Sequence, residues 1–104
     1  MNTNFEDFVL ELYDKQRSGG YIVNNRYTFT GCAYMFNSGF SFSKVDRAFF
    51  EKNKESIDSV YLISNVKDFE KQIFKSQYQS HEYVPSTNLL KIQLRDKELE
   101  ILLK

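Results

Sequence analysis

The stretch "YTFTGCAYMFNSGFSF", Tyr27 to Phe42, holds six aromatic rings and no charged residue. Tyr27 and Phe29 share one parity, whereas Tyr34, Phe36, Phe40 and Phe42 share the other. Side chains alternate across a β-strand, so one regular strand would send the two groups of rings to opposite faces. The pairing therefore has to turn or bulge near Gly31. Thr30-Gly31 and Asn37-Ser38-Gly39 supply turn chemistry inside the stretch, and Asn24-Asn25 supplies it upstream. Residues 20–43 thus read as two or three antiparallel strands.

On the N-terminal side, Phe5, Phe8, Val9, Leu12 and Tyr13 recur at i, i+3, i+4, i+7 and i+8, the spacing of one apolar helical face. Asn4 can cap that helix, Asp7 falls in its first turn, and Ser18-Gly19-Gly20 stops it, which predicts a helix over 5–17. On the C-terminal side, Ser43 with Asp46 resembles a capping box, and Val45, Ala48 and Phe49 mark a buried side, so a second helix is expected to about Glu55. "SVYLIS", Ser59 to Ser64, is an apolar run too short for a helix and predicts a strand buried on both faces.

Asn65 and Asp68 repeat the cap signature. Val66, Phe69, Ile73 and Ser76 then line one face, with Phe74 on its shoulder and Lys67, Lys71 and Lys75 at i, i+4 spacing. This pattern predicts a third helix over about 65–79. "SHEYVPST", with the only proline, Pro85, reads as a connection. "LLKIQL" and "ELEILLK" form a hairpin if Asp96-Lys97 is its turn, pairing Leu94 with Leu99, Ile92 with Ile101 and Leu90 with Leu103. Residues 96–104 could instead be helical. The expected fold is α+β: a small two-layer domain, an antiparallel or mixed sheet of about 4–6 strands with three helices, in the order α-ββ(β)-α-β-α-ββ. In that architecture the helices cover one face, and surplus rings lie on the other.

The 104 residues suit one globular domain, 1–104, with 41% hydrophobic and 27% charged residues placing it outside the disordered class. Ten Phe and seven Tyr make 16% aromatic, more rings than the core of a small domain is expected to need. Acidic and basic side chains balance at fourteen each, so the basic excess that marks non-specific polyphosphate binding is missing. No segment approaches the roughly 20 apolar residues of a membrane span. The N-terminal residues lack the basic and apolar regions of a secretory signal. With a single cysteine, Cys32, the expectation is a cytoplasmic protein without disulfides.

Chemistry finds little support. Cys32 and His81 are the only Cys and His, too few for a zinc site, and no spaced acidic loop is present, so no metal and no cofactor is expected. Cys32, between Gly31 and Ala33, reads as a small buried hydrophobe, and His81 as a solvated loop residue; neither is assigned a catalytic role. Gly19-Gly20 follows a helix and precedes a strand, the reverse of a phosphate-binding loop. "SGFSFSKV", Ser38 to Val45, has the spaced rings of the RNA-recognition strand motif without its leading basic residue, and the element order begins with a helix, so it is not assigned to that family.

Surplus Tyr and Phe without clustered charge point to a non-enzymatic protein-interaction or inhibitor module. Its expected surface comprises Tyr27, Tyr34, Phe36 and Phe40 with Arg26 and Arg47, docking a protein partner or a second copy of the chain. Residue usage weighted to AT-rich codons associates such small proteins with phages and mobile elements that block a host enzyme or defence factor. The alternatives are single-stranded nucleic-acid binding by the same rings, with Arg26, Lys44 and Arg47 meeting phosphates, and a pocket for a nucleotide-like ligand.

Overall fold

The computed structural model describes residues 1–16, 18–39, 41–42, 46–64 and 70–104. The class is α+β: among the described residues are two helices, α1 (Phe5–Lys15) and α2 (Arg47–Asn53), and nine short strands. These are β1 (Gly20–Ile22), β2 (Tyr27–Phe29), β3 (Gly31–Phe36), β4 (Ser41–Phe42), β5 (Ile57–Ile63), β6 (Glu70–Phe74), β7 (Tyr78–Val84), β8 (Leu89–Leu94) and β9 (Glu98–Leu103).

The expected single sheet is instead two antiparallel sheets, ordered β2-β1-β9-β8-β7 and β4-β3-β5-β6. They are joined at two corners. The chain passes from β2 to β3 through Thr30, where the parity of the rings changes, and Thr30 N donates to Ile63 O at 2.7 Å. It passes from β6 to β7 through a 3-10 turn at 75–77. β5 pairs with both β3 and β6 and is central in the second sheet, and no strand pairing links the two sheets among the described residues. Residues of both sheets share one core, and the two groups of rings can both enter it once the strand bends between them. Tyr27 and Phe29 point inward from the first sheet and Tyr34 and Phe36 from the second, and all four are buried.

α1 packs into this core. Asn4 caps it as expected, its Oδ1 accepting from Asp7 N at 2.9 Å, and Phe5, Phe8, Val9 and Leu12 are buried. Each such side chain is worth about 1.5–3 kcal/mol on burial. Phe8 stacks on Tyr78 of β7 with ring centroids 5.5 Å apart, while Tyr13 lies 6.2 Å from Tyr34 of β3, so the helix reaches from one sheet to the other. α2 is tethered by Phe50, stacked on Tyr13 at 4.6 Å and edge-on to Tyr34 at 5.3 Å. It is shorter than expected, continuing as a 3-10 turn over 54–56, and Asp46 caps it without a side-chain hydrogen bond. Ser43 of the expected capping box lies outside the described residues.

The third helix is corrected. Residues 65–69 lie outside the described residues, and 70–84 form β6, the 3-10 turn and β7. The helical spacing of Ile73 was coincidental: pairing with β5 sets Ile73 opposite Val60 on the inner face and Phe74 opposite Ser59 on the outer one. Tertiary pairing overrode local pattern. "SHEYV", expected as a connection, is strand. The C-terminal hairpin is a hairpin and not a helix, but its register differs by two residues, with Ile92 opposite Leu99 and Leu90 opposite Ile101. Asp-Lys cannot adopt the tight turn cheaply. The loop therefore lengthens, with Leu94 N donating to Lys97 O at 2.8 Å. A shift of two preserves parity, so Leu90, Ile92, Leu94, Leu99, Ile101 and Leu103 all remain inside.

Gly19 and Gly20 do more than stop α1, which has already ended at Lys15. Gly19 sits at φ +97°, and a Cβ there would lie 2.1 Å from Phe29 O. Its carbonyl accepts from Lys104 N at 2.9 Å, extending the β1–β9 pairing by one residue.

Candidate interaction site

The rings expected to dock a partner are core. Tyr34 is 3% exposed, and Tyr27 and Phe36 are also buried. Tyr27 satisfies its hydroxyl inside by donating to Leu62 O at 2.9 Å. The expectation of an outward aromatic face at these residues is therefore corrected, because the bend at Thr30 encloses both parities. Phe40 lies outside the described residues. Arg26 is exposed, in the left-handed conformation at φ 52° between β1 and β2. Arg47 pairs with Asp14 of α1 and with Glu51 at 3.0 Å, and lies over the Tyr13 ring, so it fastens α2 to α1. Among the described residues, the two arginines and the rings do not share one surface.

Cys32 on β3 is buried, as read from its neighbours, and burial pushes its thiol up to about 12, so little thiolate forms near neutrality. His81 is no solvated loop residue. A bulge at Gln79 in β7 resets the alternation and turns Tyr78, His81 and Tyr83 to the side of Leu94, Ile92 and Leu90. Its ring lies 5.7 Å from that of Phe8, with Nδ1 2.6 Å from Tyr78 Oη. Tyr78 Oη also lies 3.1 and 3.2 Å from the carbonyls of Asn2 and Asn4, which only accept. The direction of the bond between Tyr78 Oη and His81 Nδ1 is set by the imidazole tautomer. Burial holds the His81 pKa below its ordinary value and lifts the Tyr78 phenol to about 12, with Asp7 and Glu6 adding to the latter. Asn2 pairs backbone to backbone with His81, so this network pins the N-terminal residues to the free edge of β7. It is a latch of backbone and side-chain hydrogen bonds, in which the imidazole Nδ1 is engaged by Tyr78. Among the described residues no group of three or more His, Cys, Asp or Glu could hold a metal ion, and no helix is long and apolar enough to cross a membrane.

The outer face of the second sheet is different in character. Paired residues share a face, so Met35, Ser59 and Phe74 form one transverse row across β3, β5 and β6, and Ala33, Tyr61 and Gln72 form the next. Ser59 and Ala33 are small and buried between larger neighbours, which makes a trough rather than a flat surface. Gln72 Nε2 donates to Ser59 Oγ at 2.8 Å, satisfying both on the trough floor. Phe74 stands on the wall, 41% exposed. Met35, Asp58, Ser59, Gln72, Phe74, Lys75 and Ser76 enclose an open concavity of about 620 Å³.

A β-bulge places the charged group of this site. Met35 pairs with Ser59 and the next residue, Phe36, pairs with Ile57, leaving Asp58 as the extra residue on β5. Ile57 and Ser59 are buried while Asp58 is exposed. Lys75, the other charged lining residue, is held by Glu6 at 3.0 Å. Asp58 has no ion pair among the described residues. Sequence reasoning missed this site because the helical reading hid the outer face of β6. The available signals were an isolated aspartate at the head of an apolar strand and a phenylalanine off the buried side.

Comparison of the chain with family models, with curated proteins and with solved structures found no match.

Proposed function

We propose that this chain is a non-enzymatic interaction protein that binds a protein partner on the outer face of the β4-β3-β5-β6 sheet. The observation that carries the reading is the trough beside Phe74: an exposed ring and a half-buried Met35 flank a satisfied polar floor. Such a surface gains by covering its apolar walls and leaves no unpaired floor group when it is covered. Cysteine and histidine chemistry is unsupported by geometry, since Cys32 is buried with a raised pKa and His81 Nδ1 is engaged by Tyr78. Base stacking needs exposed ring faces, and Tyr27, Tyr34 and Phe36 have none to offer.

A small binder of this kind acts by occupying its partner. Together with the compositional association noted above, this supports the reading of an inhibitor that blocks an enzyme or defence factor in the cytoplasm. The test is recovery of the tagged chain from its native lysate beside Phe74→Ala and Tyr34→Phe. A protein retained by the parent and by Tyr34→Phe but lost by a folded Phe74→Ala supports the assignment. If every retained protein binds Phe74→Ala equally well, the outer face is not the docking surface.

A further inference from the structure

We infer that the segment docked in this trough presents an arginine, its guanidinium lying between the Asp58 carboxylate and the Phe74 ring. The inference rests on the docking reading above and names the chemistry of its occupant. Three features of the trough converge on it. The bulge at Asp58 interrupts an otherwise regular ladder and turns a carboxylate to the mouth of a largely apolar trough; bulges of this kind re-aim a side chain at the cost of local pairing. The other charge lining the trough, Lys75, is met by Glu6 at 3.0 Å. Asp58 alone of the site's charges is left unneutralised among the described residues.

The walls then discriminate between occupants. A purely apolar segment would cover Met35 and Phe74 but would strip water from Asp58 without replacing it, which is unfavourable. A phosphate or an acidic segment would be repelled by the same carboxylate. A lysine could pair with Asp58, but its ammonium is a compact, strongly hydrated charge. Arginine suits all three elements: its planar, weakly hydrated guanidinium pairs bidentately with a carboxylate and stacks on an aromatic face, and its aliphatic stem can lie along Met35.

The experiment is selection of short random peptides on the immobilised full chain. Affinities are then measured for the parent, Asp58→Asn and Phe74→Ala, each checked for folding by its thermal transition. The expected result is peptides enriched in arginine whose affinity drops about tenfold or more in either variant. Replacing that arginine by citrulline, its neutral isostere, should cost as much on the parent and almost nothing on Asp58→Asn, the signature of a direct pair. Peptides that need Phe74 but carry no arginine and ignore Asp58 would overturn the arginine assignment while leaving the docking face in place. Peptides indifferent to Phe74, or no peptides at all, would overturn both. A doubled solution mass that reverts in Phe74→Ala would seat a second copy of the chain in the trough and overturn the proposal as well.

Discussion

Replacing Tyr34 with alanine removes a ring that is 3% exposed and lies edge-on to Phe50 at 5.3 Å. An aromatic side chain buries about 150–250 Å², which at roughly 25 cal/mol per Å² corresponds to about 4–6 kcal/mol. Alanine keeps the β-carbon and the neighbouring rings relax partway into the space, so the expected net loss is about 3–5 kcal/mol. Domains of this size hold only about 5–15 kcal/mol in total. The thermal midpoint should therefore fall by at least about 12 °C, and the urea midpoint should fall with it. Phe74→Ala is the matched surface case: the ring is 41% exposed, so the loss should be about 1 kcal/mol and about 4–8 °C. Tyr34→Phe keeps the ring and should stay close to the parent. The assay is paired thermal and urea unfolding of the three variants. If Tyr34→Ala loses no more than Phe74→Ala, the rings of β3 are not the core and the two-sheet arrangement is wrong.

Gly19→Ala should be among the most damaging substitutions outside the core. It combines a positive φ with a Cβ 2.1 Å from Phe29 O, and a loss of more than about 3 kcal/mol in urea titration is expected; near-parental stability would contradict the close approach of Gly19 to β2. Cys32 should react with an aromatic disulfide reagent only as fast as the domain opens, so its modification rate in the native state should track denaturant, and rapid native labelling would refute its burial. His81 has a pKa depressed by folding, so its contribution to stability is present above the ordinary value of 6.5 and is lost as pH falls toward the folded value. The urea midpoint should decline between about pH 7.5 and pH 5, and a folded His81→Gln variant should lack that part of the decline. An identical slope in both proteins would exclude it.

Much of the local structure is legible in the chain. α1 is marked by its cap and an apolar face that no other element contradicts, and the apolar alternation of 89–103 marks a hairpin whatever its register. The parity switch across Gly31 is equally readable, because side-chain alternation is a property of any extended backbone. The region 65–79 is not readable in this way, since Val66, Phe69 and Ile73 satisfy a helical spacing while Phe69 and Ile73 also share the parity of a strand. The choice falls to β5, whose edge offers Ile73 a partner in Val60 and leaves Phe74 outside.

The site lies on the same divide. That the chain carries more rings than an ordinary core needs follows from composition, and that some ring must be exposed follows from surface and volume. Which ring it is depends on long-range pairing. Tyr27 and Tyr34 came indoors because the chain bends at Thr30 and both sheets contribute to one core, whereas Phe74 was left outside by its register against Ser59. Asp58 owes its position to a bulge that exists only when β5 is laid against β3. Local spacing specifies the faces of each element, but a face becomes inside or outside only when distant strands pair, and no window of sequence contains both partners.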